Sequence, residues 1–335
     1  MTILTGVGRL RKEAERVLRR VDVLLADAGV SRTLRLEQVA EQGGRWSFHL
    51  GNGRAFSTVG RCSGEWLSLE ARQLRPDPRR SEDWVGNLLR ANSRVTGSTR
   101  FALDRRGAPF LLADGLLSEK MDVYRWIEDS IQEILQLAGG ETFSPPVPAH
   151  QEDSGDPGPP QVKALLEGTG WVFHQRSQRR AAIDLQLKGS TRQAQALVLA
   201  GGELRLEVEL ASIPSPGTEA RKALGLFLLK SNAWFRTVRC CLREEGGKEA
   251  ALAVVELDNG ASPARIGHAL SALSVVCRHC ARESERLLDP EVAAMYLAMQ
   301  GLNTEGESSF SVTSPPLQTQ TGGNYVDSNH LVGNQ

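Results

Sequence analysis

Leu88-Leu89-Arg90-Ala91-Asn92 returns as Leu228-Leu229-Lys230-Ser231-Asn232, displaced by 140 positions. One pentapeptide echo is weak evidence, but three others keep nearly the same distance. Leu24-Leu25-Ala26-Asp27-Ala28-Gly29 answers Leu165-Leu166-Glu167-Gly168-Thr169-Gly170 at 141, Gly64-Glu65 answers Gly202-Glu203 at 138, and residues 109–116 answer 250–257 at 141. Four anchors within three residues of one another imply one structural unit built twice, with the unit a whole domain. The match of Trp46-Ser47-Phe48-His49 with Trp171-Val172-Phe173-His174 is displaced by 125, out of register, and is set aside.

A length of 335 residues suits two domains, each able to bury its own core. The sequence divides them as a first domain over 1–138, a linker over 139–161, a second domain over 162–300 and a polar tail over 301–335. The linker carries Pro145, Pro146, Pro148, Pro157, Pro159 and Pro160 among Gly, Asp and Glu, a composition with too little apolar surface to order itself. The tail is rich in Ser, Thr, Asn, Gln and Gly and is expected to be disordered.

Within each domain the hydrophobic period alternates between helical and extended. Residues 10–28 carry one apolar stripe (Leu10, Ala14, Val17, Leu18, Val21, Leu24, Leu25, Ala28), and their other face is basic, with Arg9, Arg11, Lys12, Arg16, Arg19 and Arg20. Four alternating runs follow at 33–39, 46–50, 55–62 and 66–74, separated by glycine-containing turns. A helix from Ser81 to about Asn92, a hairpin of 100–104 and 109–116, and a helix over 118–138 complete the unit. The second half reads as a short helix at 162–170, strands at 183–188 and 204–210, a helix over 218–232, paired runs at 236–243 and 250–257, a long helix over 262–288 and a short one to Met299. The strand at Leu204 alternates cleanly, predicting one dry and one wet face, with Glu207 and Glu209 in water. Asn92 and Asn232 read as helix stops, since asparagine tolerates the left-handed turn. The fold class expected is α+β, two tandem helix-plus-antiparallel-sheet domains in the order α-β-β-β-α-β-β-α, with three or so strands before the central helix.

That order, and the Leu-Leu-x-x-Asn helix running into a hairpin at 88–116 and 228–257, resembles the class I type III secretion chaperones represented by the Tir chaperone, and the related YbjN-like fold. The likeness spans 13–138 and 162–288. It implies a non-enzymatic protein that holds an extended polypeptide segment with apolar patches and sheet edges. Members of that family pair as homodimers, so a tandem copy implies an intramolecular pseudo-dimer. This chain departs from them in being double length and neutral.

Composition narrows the partners. Forty basic and forty acidic residues balance, so no long-range field draws nucleic acid or an anionic membrane. Nucleic-acid association through the basic first helix stays as the alternative, separable by salt titration. No apolar run approaches the ~20 residues of a membrane helix, the amino terminus shows no export signal, and five scattered cysteines fit a reducing cytoplasm.

Candidate chemistry is sparse. Cys277-Arg278-His279-Cys280 lacks a second ligand pair for zinc, and both thiols share the stripe of Ile266, Leu270, Leu273 and Leu287, which predicts core residues. Cys240 and Cys241 alternate across a strand. The six histidines are dispersed, and Thr5-Gly6-Val7-Gly8-Arg9 follows no strand and is no phosphate loop. No catalytic residue, metal ligand or cofactor is expected. The binding candidates are Trp66, Leu67 and Leu69, whose strand shows apolar residues on both faces and so predicts an apolar patch on the outer face of the first sheet.

Overall fold

The computed structural model describes residues 3–18, 35–40, 43–49, 55–63, 65–73, 83–95, 97–117, 121–139, 161–187, 190–214, 218–245 and 248–301. The expected continuation of the first helix through 19–28, most of the linker and the tail from 302 onward lie outside the described residues.

The first half comprises α1 (Ile3–Leu18), β1 (Arg35–Ala40), β2 (Gly43–His49), β3 (Ala55–Ser63), β4 (Trp66–Gln73), α2 (Trp84–Arg94), β5 (Arg100–Leu103), β6 (Pro109–Leu116) and α3 (Val123–Gly139). The second comprises α4 (Val162–Leu166), β7 (Phe173–Gln175), β8 (Arg180–Leu187), β9 (Ser190–Val198), β10 (Leu204–Ser212), α5 (Glu219–Asn232), β11 (Arg239–Glu245), β12 (Lys248–Leu257), α6 (Pro263–Arg286) and α7 (Pro290–Met299). Every strand pairing is antiparallel, in two six-stranded sheets ordered β1-β2-β3-β4-β6-β5 and β7-β8-β9-β10-β12-β11. The class is α+β. Four strands, rather than three, precede the central helix of each half. β7 and β9 escaped the sequence reading because β7 is only three residues long and the apolar positions of β9 are mostly the small Ala194 and Ala196 between glutamines, a weak hydrophobic signal.

Local chemistry sets the helix starts. Thr218 accepts from the Arg221 N–H, Ser262 accepts from the Arg265 N–H ahead of Pro263, and Asp289 accepts from the N–H groups of Glu291 and Val292 ahead of Pro290. The apolar stripe of α6 (Ile266, Leu270, Leu273, Val276, Cys277, Cys280) is buried, as its spacing predicts. In the first half the corresponding core joins Leu10 and Ala14 of α1, Leu67, Leu69 and Ala71 of β4, Leu111 and Ala113 of β6, and Ile127, Ile131 and Ile134 of α3. Tyr124, in the first turn of α3, is exposed.

The larger core does not respect the boundary between halves. Val85 and Leu89 of α2 and Leu103 of β5 belong to the same buried cluster as the helices and strands of the second half. α2 packs on α5 and β11, and α5 packs on β5. The two central helices meet tightly at Gly225, where an added Cβ would lie 2.5 Å from Val85 Cγ1.

Candidate functional site

β4 alternates in burial from its first residue. Leu67 and Leu69 point into the core shared with α1 and α3 and are fully buried, whereas Trp66 and Ser68 lie on the other face. The three residues expected to form one patch are therefore split by the two-residue period of the strand. Leu67 and Leu69 are packing residues and are not available to a partner. Trp66 remains half-exposed on the outer face, opposite Leu116 in the β4–β6 register, with the Arg236 guanidinium carbon 5.0 Å from its ring centroid. Arg236 belongs to the second half, so this surface spans both.

Next to it lies the junction, built from residues at matching places in the two halves. Asn92 and Asn232 are fully buried. Asn92 Oδ1 accepts from the Phe101 N–H at 2.6 Å, and its amide donates to Phe101 O at 3.1 Å and Cys240 O at 3.3 Å. Asn232 Oδ1 accepts from the Cys240 N–H at 2.6 Å, and its amide donates to Cys240 O at 3.0 Å and Phe101 O at 3.1 Å. Each amide thus ties the backbone of β5 to that of β11. Neither asparagine is a left-handed helix stop. Asn92 lies within α2, whose cap Val95 is extended at φ −77°, and the cap of α5 is Ala233 in the right-handed region. Only a short, doubly functional side chain satisfies both groups of one strand residue while reaching the other strand, which explains why this position is repeated.

Two buried arginines complete the junction. Arg100, 1% exposed, donates to Asp114 Oδ2 at 2.5 Å, to Asn232 O at 2.9 Å and to Phe235 O at 2.8 Å. Arg239 pairs with Glu256 at 3.0 Å and donates to Val95 O and to Gly97 O, the latter at 2.7 Å. Each guanidinium crosses to the carbonyls at the end of the opposite half's central helix, where the helix dipole is negative. Arg205 adds a bond to Ser93 O and pairs with Glu256, and Arg243 grips Glu207 at 2.6 and 2.8 Å. Hence the face of β10 expected to be wet is dry at Glu207, where the end of the first half's central helix reaches it and arginine neutralises the carboxylate, while Glu209 on the same face is exposed as expected. At the other end of α2, Asp83 and Glu249 are bridged by Arg90 and Arg221; Asp83–Arg90 is 2.6 Å, and the Arg221–Glu249 contact is the shortest. Those two arginines hold the Asp83 carboxyl below its ordinary range, against a contrary and individually larger effect of burial.

The thiols are all free and buried. Burial pushes Cys62 and Cys241 up to about 11 and Cys277 up to about 12. A hydrogen bond from Cys240 to Cys280 holds Cys240 well above its usual value and lowers Cys280. The fold therefore places Cys280 against Cys240 across the core rather than against Cys277, and both are buried. Among the described residues no group of three or more His, Cys, Asp or Glu is placed to hold a metal ion, and no helix is long and apolar enough to cross a membrane.

No family model matches the chain, and neither a curated protein nor a solved structure gives a significant match.

What the sequence reading missed are Arg100, Arg239, Asp114 and Glu256. The usable signal was an arginine at the start of each hairpin, eight residues after Asn92 and seven after Asn232, with an acidic residue in the strand that follows.

Proposed function

We propose that the chain is a non-enzymatic protein- or peptide-binding module, chaperone-like or an adaptor, in which two type III chaperone/YbjN-like halves form an intramolecular pseudo-dimer. The observation that carries this is the reciprocal junction of Asn92 with Asn232 and Arg100 with Arg239, which joins the halves through equivalent groups in the manner of a two-fold interface. β5 and β11, tied together there by the two asparagines, are edge strands of their sheets, and β1 and β7 are the opposite edges. An extended segment adding to such an edge gains main-chain hydrogen bonds without chemistry. Trp66 with Leu116 offers the apolar contact beside the junction.

The test is suppression of aggregation of a heat-denatured reporter enzyme by the full chain at equimolar ratio, with Trp66→Ala reducing it. Full aggregation in the presence of the wild-type chain would remove the reading. A second reading, nucleic-acid association, is favoured by one observation: Arg9, Lys12 and Arg16 are exposed at helical spacing on α1, while Arg11 is paired with Glu15. It predicts retention of labelled DNA or RNA that falls steeply with salt and disappears in the Arg9→Glu/Lys12→Glu/Arg16→Glu variant.

A further inference from the structure

The turn after α5 displays a tryptophan that the junction does not use. The Trp234 and Phe235 N–H groups both donate to Ser231 O, at 2.9 and 3.1 Å, and Phe235 O accepts from Arg100, so the turn is fixed to the buried core. Trp234 is nevertheless 62% exposed. Its ring centroid lies 5.9 Å from that of His279 on α6, edge to face, and His279 also meets Phe235 at 5.6 Å and Phe227 at 6.4 Å. Val275, one turn before His279 on the same face, is exposed as well.

The rim of this surface is basic. Arg236 follows Trp234 by two residues, Arg278 adjoins His279, and Arg282 lies one turn further along α6; all three are exposed. Among the described residues none of the three has a carboxylate partner, in contrast to Arg90, Arg100, Arg205, Arg221, Arg239 and Arg243, which are all paired. An apolar centre rimmed by guanidiniums that lack a carboxylate, Arg236 among them stacked on Trp66, is complementary to a ligand with carboxylates around an apolar side chain.

We propose that the Trp234–His279 surface docks an acidic peptide segment bearing an aromatic or aliphatic anchor. The anchor packs on the indole and Val275, and carboxylates of the peptide accept from Arg236, Arg278 and Arg282. A fixed turn loses little conformational freedom on binding, and tryptophan and arginine are the residues that dominate such contacts when desolvated. A nucleic acid suits the surface less well, because the cations flank a single aromatic site on a chain of zero net charge rather than tracking along a groove. The proposal rests on the peptide-binding reading above and names the site and partner chemistry for it.

The test uses the full chain and a fluorescein-labelled synthetic peptide in which glutamates alternate with leucine and phenylalanine, with a lysine-for-glutamate counterpart, read by fluorescence polarisation. The glutamate peptide is expected to bind and the lysine peptide not. Trp234→Ala weakens binding about tenfold or more, and Arg278→Glu/Arg282→Glu does so at low salt with a smaller effect at high salt. These side chains are exposed, so circular dichroism and melting temperature remain those of the parent. The site is overturned if the variants bind the glutamate peptide like the parent, or if the lysine peptide binds equally. It is also overturned if labelled oligothymidylate binds in preference, or if the parent sediments as a dimer that Trp234→Ala dissociates. Equal peptide binding by parent and variants removes this site and leaves the binding-module reading standing. Failure of the parent to hold either the peptide or the denatured reporter removes both.

Discussion

At Arg100 a guanidinium buried to 1% exposure answers four acceptors, the Asp114 carboxylate and the Ser98 carbonyl of its own half and two carbonyls of the other. Removing one partner of a buried pair strands the other, so Arg100→Ala is expected to destabilise the chain by about 3–5 kcal/mol in urea denaturation, and Arg100→Met/Asp114→Leu by clearly less. A smaller cost attaches to Asn92→Ala, which leaves the Phe101 N–H without its acceptor, on the order of 1–3 kcal/mol. Glu133 behaves in the opposite sense. Burial, with Glu256 and Asp129 nearby, raises its carboxyl from 4.5 to about 7, only partly offset by Thr99 and Arg239. Because the folded state binds that proton more tightly than the unfolded chain, stability is lost as pH rises from about 4.5 to about 7. Glu133→Gln is therefore expected to leave the melting temperature unchanged near pH 4 and to raise it at pH 8, by on the order of 2–3 kcal/mol of stability. An identical pH profile for parent and variant would refute this.

Among the elements, the contact between α2 and α5 is the most exacting. Gly225 lets the helices approach, and Val85, a stiff β-branched residue, fills the space where a Cβ would stand. Gly225→Ala gains about 1 kcal/mol of helix propensity in isolation, yet the 2.5 Å clash predicts net destabilisation, with Val85→Ala/Gly225→Ala recovering part of the loss. Thermal melts of the three variants decide it. Much of the element structure was legible beforehand: the hairpins at 100–116 and 239–257 and the long helix α6 stand where period and turn chemistry put them. β4 shows why the patch was not. Trp66-Leu67-Ser68-Leu69 is apolar at three of four positions, and one tryptophan on the outer face makes a strand with a single dry face look apolar on both.

For the molecule as a whole, the shared core means that the halves are not independent bodies. Val85, Leu89 and Leu103 lie in a buried cluster otherwise supplied by the second half, and four arginine-to-carbonyl bonds, two of them fully buried, cross between halves at Arg100 and Arg239. Residues 1–138 and 162–300 expressed separately are expected to aggregate, and co-expressed they should copurify through a tag on one of them. Recovery of two soluble, non-interacting halves would contradict the shared core.

Sequence alone determined the period of about 140 residues, the α+β class and the order of most elements, because those follow from local spacing, turn residues and caps that act within a few residues of the chain. Tertiary structure decided what those elements meet. Glu207 sits on the polar side of its strand yet is buried, because the end of a helix from the other half approaches there; Asn92 and Asn232 read as helix ends yet bridge two strands; Cys280 pairs with Cys240 rather than its neighbour in sequence. In each case at least one partner is distant in the chain, as Cys240 is from Asn92 and Phe101 from Asn232, and periodicity records which face of an element is turned inward but not what arrives to cover the face turned out.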